Sequence, residues 1–184
     1  MVTSSSSSSL GSTLVLCLIV SSLMTPSTSN PLSQVCIKSK NPRFCLQVFG
    51  LNPHRSPYEL TQEAIDLALK NASETTKKIH TFLDQTKNDN KKVIYYLCLN
   101  YYQSANDVLR EAEEYYLKEG PYSNINAAGK LVQEASFHCE NEFQKIVGYV
   151  DVSTLTKDNE NLGIFGSIIV AAADLLSNST SAKK

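Results

Sequence analysis

What this 184-residue sequence has little of is punctuation and one-sided charge. Seven glycines and six prolines leave few breaks, which leans the chain towards helix. Seventeen basic against eighteen acidic residues give a formal charge of −1, so charge offers no reason to expect a nucleic acid or an anionic membrane as partner. No CxxC pair and no HxxxH spacing occurs, which argues against a zinc site. There is no phosphate-binding glycine loop and no strand pattern to position one. The length suits one ordinary domain with a real core.

What is present begins with a serine-rich stretch, 1–11, and an uncharged apolar run, 14–24. Small residues then lead to a cleavage point near Ser29–Asn30. Residues 1–29 read as a secretory signal peptide, although Lys and Arg are absent ahead of the run. The run is too short to cross a hydrocarbon core of roughly 30 Å, so no membrane partner is expected after cleavage. The domain is expected over 30–178, with 179–184 as a polar tail. Losing the signal removes Cys17 and leaves Cys36, Cys45, Cys98 and Cys139, an even number that suggests two disulfides in three possible pairings.

The organising stretch is 92–118. Its apolar residues Ile94, Cys98, Tyr101, Ala105, Val108, Ala112 and Tyr115 recur by four and three, the seam of a helix packed against neighbours. Before it, Ser56-Pro57-Tyr58-Glu59 is a capping box opening a helix to about residue 86. After it, Gly120-Pro121 is a sharp stop. Ser123 or Asn124 can cap a further helix with Ile125, Ala128, Val132, Ala135, Cys139, Phe143 and Ile146 on one face. A loop over 148–156 precedes a last helix, capped by Asp158 or Asn159 and running about fifteen residues, with Leu162, Phe165, Ile169, Ala172 and Leu176 inward. Asn41-Pro42 folds 30–52 into two short helices whose outer apolar residues (Leu46, Val48, Phe49, Leu51) would cap this bundle or meet a second molecule. Cys36 and Cys45 are sequence neighbours, whereas Cys98 and Cys139 both lie on apolar stripes. Pairing local with local and stripe with stripe follows.

Chemistry is harder to find. His54, His80 and His138 are not at ligand spacing, and His138 with Cys139 is a poor dyad because adjacent helical residues diverge. No cofactor or metal is expected. Clustered carboxylates read as a solvated helix face. Tyrosines are the exception: Tyr96, Tyr102 and Tyr116 fall off the seam, where rings either cover the edge of the bundle, the simpler reading, or serve as exposed interface anchors. Two sequons occur, at Asn71 within a helix and at Asn178 near the end, the latter the better acceptor. By elimination, the residues describe a secreted, disulfide-stapled helical bundle that binds rather than catalyses.

Val35-Cys-Ile-Lys-Ser-Lys-Asn-Pro-Arg-Phe-Cys-Leu-Gln47 resembles the opening of the plant invertase and pectin methylesterase inhibitor family. Cys98-x-x-Tyr101-x-x-x-Ala105-x-x-x-Leu109-x-x-Ala112 is similar to that family's third-cysteine helix. Ser123-x-x-Asn126 and Cys139-Glu140-x-x-Phe143 are similar to its fourth, and 155–162 with the helix after it to its C-terminus. The resemblance implies an all-α, up-down-up-down four-helix bundle with an N-terminal helical hairpin and the disulfides Cys36–Cys45 and Cys98–Cys139. It implies a protein of the cell wall or vacuole that forms a one-to-one complex over the active-site cleft of pectin methylesterase or acid invertase. Invertase-inhibiting members carry Pro-Lys-Phe before the fourth-cysteine helix. Here Gly120-Pro121-Tyr122-Ser123 stands there, a form that resembles the pectin methylesterase inhibitors and the pollen-type members named as invertase inhibitors, with pectin methylesterase the expected target. The target-facing candidates are Tyr102, Asp107, Glu114, Pro121 and Tyr122. A non-inhibitory ligand-binding or structural bundle is the alternative.

Overall fold

The computed structural model describes residues 30–50, 52, 54–145 and 155–181. The expected signal peptide, Cys17, Leu51, Ile146, most of the 148–156 loop and the last three residues lie outside them. Among the described residues every regular element is helical. First come α1 (Pro31–Lys38), α2 (Pro42–Phe49) and α3 (Pro57–Gln85). The fourth, α4, runs as Asp89–Glu111, a π turn at Ala112–Tyr116 and a closing turn at Leu117–Glu119. Then come α5 (Ser123–Gln144) and α6 (Leu155–Ser181). Helices α3 to α6 form the up-down-up-down bundle, each packed on two neighbours in a closed ring.

Local chemistry sets the helix starts. Ser56 Oγ accepts from the Glu59 amide while Glu59 accepts from the Ser56 amide at 2.7 Å, and Pro57 occupies the first turn. The backbone bond at Ser56, with its hydroxyl, holds the exposed Glu59 carboxyl below the usual carboxylate range. Asn41 caps α2 by accepting from the Phe44 amide at 3.0 Å, with Pro42 next, so the expected fold of the hairpin at Asn41-Pro42 is found.

The hairpin rests on its own bundle. Leu32, Val35, Cys36, Cys45 and Phe49 are buried; the Lys40 amide donates to Ser167 Oγ of α6 at 2.9 Å, and the Phe44 and Phe165 rings meet edge to face at 5.3 Å. Both disulfides form as expected, Cys36–Cys45 within the hairpin and Cys98–Cys139 between α4 and α5. The second closes a separation of 41 residues, which the chain-entropy account values at about 4 kcal/mol.

Between α5 and α6 the backbones nearly touch. A Cβ added at Gly166 would stand 2.6 Å from the Gly129 carbonyl oxygen, and one at Gly163 would stand 2.9 Å from Ser136 Oγ. The uncharged run 161–173 of α6 permits this approach. By length and composition α6 could cross a membrane, yet 67% of its apolar window is buried inside the bundle.

Three sequence expectations shift. The seam of α4 is rotated: Ile94, Tyr95, Cys98, Tyr102, Ala105, Leu109 and Ala112 are buried, so the steps of three and four remain but Tyr102 and Leu109 replace Tyr101 and Val108. The π turn then adds a residue, so that Leu117 reaches the core and Tyr115 is left 57% exposed. Helix α6 is present already at Leu155, a turn before the expected cap, and it continues through Ser181, so 179–181 belong to a helix and not to a tail. Finally, α5 starts at Ser123 after Tyr122, without a side-chain cap.

Candidate target-binding face

The polar side of α4 follows the same geometry as its seam. Tyr96, Asn100, Gln103, Asp107 and Arg110 recur by four and three, and with Ser73, Thr76, Lys77 and His80 of α3 they line a groove of about 620 Å³. Its floor is cross-linked. Ser73 Oγ donates to Asn106 Oδ1 at 3.1 Å, and Asn106 Nδ2 donates to the Tyr102 carbonyl at 2.9 Å and to Thr76 Oγ1 at 3.3 Å. Floor contacts of this kind fix both helices, so the groove is presented without reordering when something docks.

Towards the end of α4 the groove gives way to acids. Glu113, on the π turn, faces Asp66 of α3; burial first, then the Asp66 charge and a hydrogen bond to it, hold the Glu113 carboxyl above its usual range, with Lys118 opposing. Glu114 beside it is exposed. Tyr116 donates to Glu111 Oε1 at 2.6 Å, which raises the phenol above its usual value. The chain then turns through Gly120 at φ +73°, a backbone conformation that favours glycine, and a cis Gly120–Pro121 bond. Pro121 is exposed and Tyr122 half-buried, and they line a shallow pocket with Glu119, Thr180 and Ser181.

Three of the five target-facing candidates, Asp107, Glu114 and Pro121, are exposed, and Tyr122 is half-buried. Asp107 is in the groove, Glu114 about 10 Å further along the axis, and Pro121 and Tyr122 at the end. Tyr102 does not belong with them. Its ring is fully buried and its hydroxyl donates to Asn159 Oδ1 of α6 at 2.8 Å; burial first, then the Asp158 charge, push the phenol's ionisation up. The rotated seam is the reason: one residue of phase moves Tyr102 from the edge to the centre. Asn159 Nδ2 in turn donates to Glu140 Oε2 at 2.9 Å, and Lys78 pairs with the neighbouring Asp158 at 2.7 Å, so all four bundle helices meet in this network.

The structure adds Asn100, Gln103 and Arg110 to the edge, which sequence reading had passed over. Their signal was available as a polar line at helical spacing beside the apolar one. Of the sequons, Asn71 sits in α3 with its side-chain oxygen buried, whereas Asn178 is exposed in the last turns of α6. His138 stacks on Tyr101 at 5.3 Å, and Cys139 has no thiol to offer.

Known proteins share this fold. The family model for plant invertase/pectin methylesterase inhibitors matches residues 30–180. A pectinesterase inhibitor from Actinidia deliciosa is 29% identical over 61% of this chain, and the match spans 62% of that protein's own length. Pectinesterase inhibitor 1 from Arabidopsis thaliana is 27% identical over 78% of this chain and 81% of its own. The crystal structure of a mutant form of a pectin methylesterase inhibitor from Arabidopsis superposes with a TM-score of 0.71 at 23% identity, covering 79% of this chain and 97% of that one. A second structure of a pectin methylesterase inhibitor from Arabidopsis thaliana gives 0.60 at 23%, covering 78% and 93%. Matched from the hairpin to the last turn of α6, this chain belongs to the plant invertase/pectin methylesterase inhibitor family.

Proposed function

We propose that this protein is a secreted inhibitor of plant pectin methylesterase that seats the α3–α4 edge over the enzyme's substrate groove in a one-to-one complex. The observation that carries this reading is the match of the whole bundle to the family, with two curated relatives that are themselves pectinesterase inhibitors. The Gly120-Pro121-Tyr122-Ser123 connection, lacking Lys-Phe, points the same way. Inhibition asks for no chemistry from this chain. A stapled bundle loses little conformational freedom on docking, and Asp107, Arg110, Glu114 and Tyr96 supply charge pairs and an aromatic anchor while the body of the bundle excludes the polymer.

The test is an inhibition titration of the purified, disulfide-intact protein at mildly acidic pH, against a panel of plant pectin methylesterases and an acid invertase. Activity of a pectin methylesterase should fall to a sharp end point at one equivalent, with the invertase untouched. No effect on any pectin methylesterase in the panel overturns the reading.

A further inference from the structure

The near-zero formal charge hides an uneven distribution. Residues 30–50 carry Lys38, Lys40 and Arg43 and no Asp or Glu, which leaves fourteen basic residues against eighteen acidic ones in the rest of the chain. Lys38 closes α1, Lys40 lies in the turn and Arg43 is in the first turn of α2, so the three cations surround a single bend. All three are exposed, and none of the ion pairs among the described residues reaches them. Two acids, Glu140 and Glu160, line the α5–α6 groove with Lys40, and both are occupied: Glu140 accepts from Thr156 and Asn159, and Glu160 pairs with Lys157. Ile37, 75% exposed, and Leu46, 40% exposed, flank the cations.

Three exposed cations around one bend, with no acid paired to them among the described residues, make a positive patch that an external anion would complement. The disulfide, the Asn41 cap and the Lys40–Ser167 bond hold the backbone of the bend in place, so the positions that carry its charges stay close together. We propose that the hairpin bend is a docking surface for a polyuronate, a sugar polymer bearing a carboxylate on each unit. Each contact is weak in water, and a polymer that repeats its carboxylate engages several at once, which multiplies them through effective concentration. The hairpin packs chiefly on α6 and none of its residues lines the α3–α4 groove, so polymer and target enzyme would occupy different faces. The proposal rests on the inhibitor reading in one respect: removing methyl esters from a uronate polymer creates the carboxylates, so the bend would hold the inhibitor where its target has acted.

The experiment compares retention of the purified full-length secreted protein on immobilised polygalacturonate, fully methyl-esterified pectin and polyglutamate. Retention on polygalacturonate should exceed that on the esterified polymer by at least about tenfold and should vanish near 1 M salt, where screening acts within about 3 Å. Combined Lys38→Gln, Lys40→Gln and Arg43→Gln substitution should abolish it, and Lys38→Arg, Lys40→Arg and Arg43→Lys together should restore it. A charge-matched control, Lys70→Gln with Lys87→Gln and Lys130→Gln, should keep it. Inhibition of pectin methylesterase by the neutralised variant should equal that of the parent, so failure of one reading is separable from failure of the other. Equal retention on both pectins, unchanged retention of the neutralised variant, or stronger binding to polyglutamate overturns the proposal.

Discussion

The α5–α6 and α3–α4 seams of the same bundle are built on opposite principles. Across α5–α6, Gly129 and Gly166 bring backbone against backbone, Ile169 and Val170 close on Gly129, and Gly163 sits against Ser136. Across α3–α4, Thr75, Thr76, Ser73, Asn106 and Tyr102 meet through hydrogen bonds, and a groove remains open above them. Close packing resists any added atom, because interiors at this density have no slack. A polar seam tolerates a change in bulk but suffers when a buried partner is removed. A bundle that must present an edge gains from this division, with steric rigidity on one side and a wettable, accessible groove on the other.

The sharpest way to break the contrast is Gly166→Ala. Alanine normally helps a helix interior by up to about 1 kcal/mol over glycine. Here its Cβ would meet the Gly129 carbonyl at 2.6 Å and the Gln133 amide nitrogen at 3.0 Å. Backbone cannot rotate away as a side chain can, so we expect a net loss of about 3 kcal/mol, the upper end for overpacking. Urea unfolding of the disulfide-intact protein measures it, and a stabilised variant would show that α5 and α6 lie further apart than described.

How much of this was legible beforehand depended on scale. The cysteine pairing followed from sequence distance and stripe position, and the capping box at Ser56 and the Asn41-Pro42 fold were readable because their chemistry is local. The phase of the α4 seam was not. Steps of four and three through Cys98, Ala105 and Ala112 admit two lines, one through Tyr101 and Val108 and one through Tyr102 and Leu109. Only the neighbours decide between them: Asn159 of α6 waits for a phenol, and a tyrosine hydroxyl conceals a buried role behind an amphipathic side chain. The π turn was likewise invisible, since nothing in Ala112–Tyr116 announces an extra residue per turn, and it is what sends Tyr115 outward.

Tyr102→Phe tests that reassignment with a smaller effect. The substitution keeps the ring and leaves Asn159 Oδ1 buried without its donor, for a loss of about 2 kcal/mol. The half-inhibitory concentration against pectin methylesterase should not change, because the ring never reaches the surface. A large rise in that concentration with unchanged stability would return Tyr102 to the interface and place the α4 seam back on its sequence-derived line.

The smallest expected effect belongs to the acid pair at the end of the polar seam. Burial and the facing Asp66 hold Glu113 above its ordinary carboxylate range in the folded protein, and the unfolded chain has no such contact. Between the unfolded and folded values the native state therefore binds more protons, and stability must fall as pH rises through that window. Glu113→Gln mimics the protonated acid at every pH. Its urea midpoint should match the parent's at pH low enough to protonate Glu113 in both states, and exceed it modestly at neutral pH. Gly166→Ala adds and removes no titratable group, so it should lower the midpoint by the same amount across the range. A Glu113→Gln variant that is less stable than the parent at neutral pH would mean that the Lys118 attraction outweighs both burial and Asp66, and that this end of the polar seam is held by charge pairing.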